Sequence, residues 1–110
     1  MPECHLPSFF IGQQYLIMHN TKLANDFFTL SKTLTSFDPQ LENEYGVCLF
    51  SQRDFRMASQ VFQGLIDKLG VMANEMQWMS VWQNLGLSFI KQWYFPIISI
   101  IHYTLSFKHI

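Results

Sequence analysis

The sequence predicts an all-α solenoid built from about three helix-turn-helix repeats. Gly12 and Gly46 lie 34 residues apart, and each has an apolar residue directly before it and another three positions after it. The same spacing recurs downstream, where an alanine and a phenylalanine follow each glycine: Ala24 and Phe28, then Ala58 and Phe62. Because two separate parts of the pattern keep one phase, they indicate an internal repeat, and a period of this length is typical of stacked helical pairs.

The period and the residue pattern are those of the tetratricopeptide repeat (TPR), in which small residues let two helices approach and aromatic residues fill the space between repeats. A third copy of the first-helix pattern, Trp82-x-x-Leu85-Gly86-x-x-Phe89, comes 40 residues after Gly46 and so implies a six-residue insertion. These matches predict a set of repeat-packing residues: Gly12, Tyr15, Ala24, Phe28, Gly46, Ala58, Phe62, Trp82, Leu85, Gly86 and Phe89.

The first repeat, about residues 5–38, contains signals for two helices. Apolar residues at helical spacing predict the first helix from about Leu6 to Met18. Its partner is expected to start after the Asn20-Thr21 pair, because short polar side chains favour helix starts. The apolar residues of that partner fall on one side at helical spacing: Leu23, Ala24, Phe27, Phe28 and Leu34.

The second repeat, about residues 39–70, has clearer boundaries. Asp38 suits the N-cap of its first helix, because Pro39 then falls at the first helical position, where its missing N–H costs nothing. This helix is expected to reach about Phe50, and Asp54 is expected to open the next one. Gly70 is placed to end that helix.

The third repeat, about residues 79–110, is less regular. Residues 71–78 are the predicted insertion, which we expect to lengthen one or both of the flanking helices, and the first helix of the repeat is expected over Trp78 to Ile90. Residues 93–110 are predicted to form a divergent hydrophobic last helix, because Ile98 replaces the expected alanine and His102 replaces the expected aromatic residue. The TPR array proper is therefore assigned to residues 5–92.

Stacked TPRs form a right-handed superhelix whose concave groove is lined by the first helix of each repeat. Counting from the glycines, the residues expected to face this groove are Phe9, Gln13, Leu16, Ile17, Asn43, Val47, Phe50, Gln83, Leu87 and Ile90. The set is apolar with amide groups, which favours binding of an extended partner segment. The alternative is that these side chains are ordinary core between helices, or cover for a neighbouring repeat.

Composition excludes several functional classes. Hydrophobic residues make up 49% of the 110-residue chain and charged residues 14%, below the roughly 25% usual for a soluble domain. The net charge of -1 without a basic cluster argues against nucleic-acid binding. The start lacks a signal-peptide pattern, and the two cysteines do not form a CxxC pair, so a reducing, intracellular location is predicted.

The sequence predicts no catalytic residue, no metal site and no cofactor. Its four histidines are scattered, and phosphate-binding and nucleophile-elbow motifs do not occur. Cys48 falls beside Gly46 in a predicted helix, which favours a small core residue over a nucleophile. Glu42 and Glu44 are interpreted as a solvated helix face.

Beyond the repeat pattern, several segments of the sequence closely resemble one protein family. The matching segments are Cys4-His5-Leu6-Pro7, Phe10-Ile11-Gly12-x-x-Tyr15, Asn20-x-Lys22-Leu23-Ala24-x-x-Phe27-Phe28, Asp38-Pro39, Glu44-x-Gly46-Val47, Ala58, Phe62, Asn74-Glu75 and Trp78-x(5)-Asn84-Leu85-Gly86. They resemble the cell-division-cycle sixteen subunit of the anaphase-promoting complex, a large ubiquitin ligase. The resemblance covers roughly residues 3–92 and includes the six-residue insertion.

This resemblance implies a non-catalytic scaffold that acts in cell-cycle progression, in the nucleus and cytoplasm. The implied partners are other subunits of the anaphase-promoting complex, and a small companion subunit whose acetylated N-terminus members of the family hold in their C-terminal superhelix. Members of the family contain many more repeats than three. The chain therefore resembles only a middle to C-terminal stretch of such a subunit.

The tail and the groove leave alternatives open. The uncharged stretch from Gln92 to Phe107 is 16 residues long and contains Pro96, so it is shorter than the roughly 20 residues of a spanning helix, and a membrane anchor is not favoured. A truncated, non-functional fragment is one alternative. Another is a co-chaperone-type adaptor that grips a carboxylate terminus, but this needs basic residues in the groove, and Asn43 is the only clear candidate there.

Overall fold

The computed structural model describes residues 4–108, including their side chains except at positions 95 and 106–108. In this range the chain forms five α-helices: α1 (Leu6–Ile17), α2 (Thr21–Thr33), α3 (Pro39–Ser51), α4 (Phe55–Leu69) and α5 (Met79–Lys108). Each helix packs on the next, and α3 also contacts both α1 and α5. The result is an elongated all-α solenoid measuring 68 × 33 × 19 Å. No helix within residues 4–108 combines the length and hydropathy that a bilayer crossing requires.

Short polar side chains cap the starts of α2, α3 and α4. Asn20 accepts a hydrogen bond from the backbone N–H of Leu23, and Asp54 accepts the equivalent bond from Met57, both at 3.3 Å. Asp38 accepts from the backbone N–H of the second residue of α3 at 3.0 Å, and Pro39 occupies the first position as predicted. These caps satisfy first-turn donors that a helix leaves free.

The turns between paired helices repeat at the level of the backbone. His19 and Arg53, 34 residues apart, both have positive φ, at 62° and 65°. Around His19, two backbone N–H groups return to carbonyls of the last turn of α1, and the turn at Arg53 has the same two bonds. Both turns are Schellman motifs, in which a left-handed residue ends the helix. The sequence did not reveal them, because neither position holds the glycine or asparagine that usually marks this conformation.

The core consists of two clusters joined through Tyr45. One cluster lies between the first repeat and α3, and its buried members are Phe9, Ala24, Phe28, Leu41 and Cys48. The other lies between α3, α4 and α5, and it is built on Leu49, Ala58, Phe62, Leu65, Ile66, Leu69, Ala73, Val81 and Leu85. The predicted alanines and phenylalanines of the first two repeats are therefore fully buried.

The insertion differs from the prediction. Residues 71–78 do not lengthen the flanking helices but belong to two 3₁₀ turns, Gly70–Asn74 and Met76–Trp78. Gly70 ends α4 with a φ of 60°, as its position predicted, and Glu75 is extended between the two turns. Trp82 holds the first 3₁₀ turn in place, because its Nε1 donates to the carbonyl of Ala73 at 2.7 Å.

The last helix also differs from the prediction. Residues 93–108 do not form a separate helix but continue α5, which runs for 30 residues without a turn; residues 109 and 110 lie outside the described residues. The positions equivalent to Arg53 and Asp54 hold Trp93 and Tyr94. Asn20 and Asp54 cap the helices that follow the first two turns, whereas tyrosine is not a helix-capping residue, so the signal that starts α2 and α4 has no counterpart here.

The continuous helix leaves the third repeat unpaired on one side. A Cβ atom built on Gly86 would meet none of the described residues within 4 Å, whereas Gly12 and Gly46 each face a phenylalanine ring. Trp82 and Phe89 are exposed, so the predicted packing role of these three residues is wrong for this structure. Leu85 alone of the third set is buried, against α4 and its neighbours.

Candidate protein-binding groove

The first helices of the three repeats lie side by side. We call the surface formed by α1, α3, residues 76–78 and the first half of α5 the groove. It contains two cavities with different linings, one polar and one apolar.

The polar cavity has a volume of about 220 Å³ and lies where α1, α3 and the second 3₁₀ turn meet. Its walls are Gln13, Gln40, Asn43, Glu44, Gln77, Trp78 and Ser80. Burial raises the pKa of the Glu44 carboxyl, and a hydrogen bond from the Gln13 side chain partly offsets this. Trp78 Nε1 is buried, and among the described residues it has no acceptor. The cavity therefore offers a carboxyl acceptor and several amides.

The apolar cavity is smaller, about 50 Å³, and lies between α3, α4 and α5. Its walls are Val47, Phe50, Phe62, Asn84 and Leu87. Asn84 Nδ2 donates to Asn43 Oδ1 at 3.3 Å, so one hydrogen bond connects a wall of the apolar cavity to a wall of the polar one. Together, the two cavities can hold one apolar side chain of a bound segment and form hydrogen bonds to the backbone of that segment.

The structure brings half of the predicted groove residues to these two cavities: Gln13, Asn43, Val47, Phe50 and Leu87. Phe9 is not in the groove. It is 3% exposed and packs on Phe28, so for this residue the alternative assignment to inter-helix core is the correct one. Leu16 is half-buried against the same cluster, and Ile17, Gln83 and Ile90 are exposed without lining either cavity.

Sequence reasoning missed several lining residues. Glu44 is half-buried in the groove, so its interpretation as part of a solvated face is wrong. Asn84 lies three positions before Leu87 and so on the same helix face, a signal that could have placed it. Gln77 and Trp78 belong to the insertion, whose conformation no periodic pattern predicts, and Ser80 lies two positions after it.

Cys48 is a core residue, in agreement with the sequence. It is fully buried, its Sγ donates to the carbonyl of Thr21 at 3.3 Å, and burial raises its thiol pKa to about 11. A thiol with so high a pKa stays protonated at neutral pH and is a poor nucleophile. Within residues 4–108, no three His, Cys, Asp or Glu side chains cluster as metal ligands would.

The fold and the glycine–phenylalanine contacts define a TPR solenoid. Comparison with known proteins shows which TPR proteins it is related to. The chain is 38% identical over 90 residues to the anaphase-promoting complex subunit cut9 of Schizosaccharomyces pombe, and 33% identical over 89 residues to the human cell division cycle protein 16 homolog. The solved structure of the APC/C hetero-tetramer Cut9-Hcn1 superposes with a TM-score of 0.70 at 35% identity, over 84% of this chain. The chain is homologous to a segment of the Cdc16, Cut9 and APC6 subunits of the anaphase-promoting complex.

The homology covers most of this chain but a small part of its relatives. It extends over 79% of this chain and 13% of cut9, and over 78% of this chain and 14% of the human protein. The superposed region is 18% of the Cut9 structure's chain. No protein-family model matches the sequence.

Proposed function

We propose that this chain is a non-catalytic scaffold that binds an extended segment of another protein in its groove. The hydrogen bond between Asn43 and Asn84 carries the proposal, because it connects the polar cavity to the apolar one. An extended peptide presents backbone polar groups and side chains in alternation. Its backbone groups would bond to the amide side chains that line the polar cavity, and an apolar side chain would enter the apolar cavity beside Leu87.

The proposed partners are other subunits of the anaphase-promoting complex, among them a small companion subunit that supplies the peptide. Support comes from the homology to cut9 and from the similarity to a structure that contains both Cut9 and Hcn1. The chain would then act in cell-cycle progression, in the nucleus and cytoplasm, without chemistry of its own.

A co-chaperone-type adaptor is not proposed. Such an adaptor clamps a carboxylate with basic side chains in the groove, whereas the polar cavity contains the Glu44 carboxyl and no Lys or Arg among its lining residues. Arg53 and Lys91 line a different, open cavity beside Phe55. A free carboxylate in the groove would therefore face a like charge.

The test compares two matched leucine variants of the tagged chain in dividing cells. Leu87→Glu places a charge in the apolar cavity, and Leu30→Glu places one on α2, outside the groove; the two leucines are 48% and 47% exposed. Mass spectrometry of the co-purified proteins should show the subunits lost from Leu87→Glu and retained by Leu30→Glu, with both variants soluble. Equal recovery of the subunits by the two variants would contradict a groove-based function.

A further inference from the structure

The second half of α5 projects beyond the solenoid. Near the middle of α5, Gln92 Oε1 accepts a hydrogen bond from Ser59 Oγ of α4 at 3.3 Å. After it the helix continues to Lys108, about 24 Å further at 1.5 Å per residue. Every side chain that the structure describes from Trp93 to Leu105 is exposed.

One apolar stripe runs along α5 from the packed half into the projecting half. Its members recur every three or four residues and so share one side of the helix: Trp82, Gly86, Phe89, Trp93, Ile97 and Ile100. The five side chains of the stripe are between 41% and 65% exposed. A contiguous apolar surface of this kind marks an interaction site.

Gly86 lies in the middle of the stripe. At the equivalent glycine of the other two repeats, a phenylalanine ring fills the adjacent space. In the first repeat an antiparallel helix places the Phe28 ring against Gly12, and in the second repeat Phe62 lies against Gly46. At Gly86 the corresponding space contains no described atom within 4 Å of a built Cβ. Because α5 has no turn, residues 93–108 cannot reach this face of their own chain, whereas an antiparallel helix of another molecule can.

We infer that a second copy of this chain covers the stripe, with the two α5 helices antiparallel. Residues 93–105 of each copy then lie on the Gly86 face of the other. The arrangement is self-complementary, because a two-fold axis fills both glycine positions at once. From Gln92 to Phe107 the helix has no charged residue, so the pairing buries no Asp, Glu, Lys or Arg within this stretch.

The available surface matches what a stable dimer needs. From Trp82 onward, the described part of the helix exposes large apolar residues at twelve positions: Trp82, Leu87, Phe89, Ile90, Trp93, Tyr94, Ile97, Ile98, Ile100, Ile101, Tyr103 and Leu105. Aromatic side chains contribute roughly 150–250 Å² each when fully buried, so covering half of this exposed set buries on the order of 600 Å² per copy. Two copies reach about 1,200 Å², the lower bound of specific interfaces.

Light scattering during size-exclusion chromatography tests the pairing with two glycine variants. Gly86→Arg occupies the unfilled position, and Gly64→Arg is the control, because a Cβ at Gly64 also meets no described atom within 4 Å. We expect twice the 13.0 kDa chain mass for the wild type and for Gly64→Arg, and the single-chain mass for Gly86→Arg. Circular dichroism should show that both variants keep their helices. A wild type that is monomeric at all concentrations, or a Gly86→Arg variant that stays dimeric, would overturn the inference.

Disulfide cross-linking tests the antiparallel direction. Among the stripe residues, Ile100 follows Gly86 by 14 positions, close to the 16 by which Phe28 and Phe62 follow their glycines, and pairing position 86 with 100 places the two-fold axis near residue 93. In a Cys4→Ser background, Trp93→Cys should form cross-linked dimers on oxidation. Thr104→Cys should not, because its two copies lie about 30 Å apart along the helices. Cross-linking of Thr104→Cys alone would indicate another arrangement and overturn the proposal.

Discussion

Phe62 of α4 occupies the space that a side chain at Gly46 of α3 would need. A Cβ on Gly46 would lie 2.6 Å from Phe62 Cζ, well inside van der Waals contact, and two further ring carbons would also be too close. Gly12 and Phe28 have the same relationship in the first repeat. The glycine is therefore required for the close approach of paired helices rather than for a special backbone conformation.

Gly46→Ala should destabilise the chain by about 1–3 kcal/mol, because the fully buried Phe62 ring must shift within a packed core. Gly64→Ala is the matched control, since its Cβ meets no described atom within 4 Å, and alanine should stabilise that helix by up to about 1 kcal/mol. Urea unfolding followed by circular dichroism measures both. A Gly46→Ala variant as stable as wild type would refute the packing role of this glycine.

Arg53→Gly should stabilise the chain by about 0.5–1 kcal/mol. Arg53 has a φ of 65°, where an L-residue with a side chain costs roughly 1–2 kcal/mol, and the greater freedom of glycine in the unfolded chain offsets part of the gain. Arg53→Ala removes the same charge without relieving the conformation, so it should show no such gain. Comparing the urea midpoints of the two variants isolates the backbone effect, and equal midpoints would argue against a left-handed turn.

Glu44→Gln should change how stability depends on pH. Folding raises the pKa of this carboxyl above its ordinary value of 4.5, so the folded chain holds the proton more tightly than the unfolded chain. Stability that the protonated form contributes is therefore lost as pH rises from the ordinary value through the raised one. The variant should match wild type in acid and exceed it at neutral pH. Parallel stability curves across this range would contradict the burial of Glu44.

The two cysteines should differ in reactivity. Cys4 is exposed, whereas Cys48 is fully buried with a thiol pKa of about 11. Iodoacetamide at neutral pH should therefore add one group to the native chain, at Cys4, and two groups in denaturant. Mass spectrometry of the intact chain and its peptides gives the count, and rapid labelling of Cys48 in the native state would show that the α1–α3 core is open.

Much of the first two repeats could be predicted from sequence, because several helix starts and the contacts between paired helices have local chemical signals. Asp38 and Asp54 are short acceptors at helix starts, and Gly12 and Gly46 pair with phenylalanines at a fixed offset. The third repeat could not be predicted in the same way. Its first helix has the TPR pattern, but Trp93 and Tyr94 occupy the positions at which the chain would turn. The loss of a turn is harder to predict from sequence than its presence.

The groove was predictable only in part, since helical spacing identifies a face but not how deep it lies. Val47 and Leu87 line the apolar cavity, whereas Phe9 on the same nominal face is buried by contact with Phe28. The polar cavity depends on Trp78, which the 3₁₀ turns of the insertion bring to Glu44. No repeat position encodes that contact, because the insertion breaks the period.

The central claim is that this chain binds subunits of the anaphase-promoting complex, and affinity purification of the tagged chain from dividing cells tests it most directly. Quantitative mass spectrometry should recover those subunits in excess over an untagged control, with most of the chain soluble on a blot. Recovery of chaperones and degradation factors alone would contradict the claim. It would mean that the chain is an incomplete repeat array, homologous to Cdc16 and Cut9 but not acting as a scaffold.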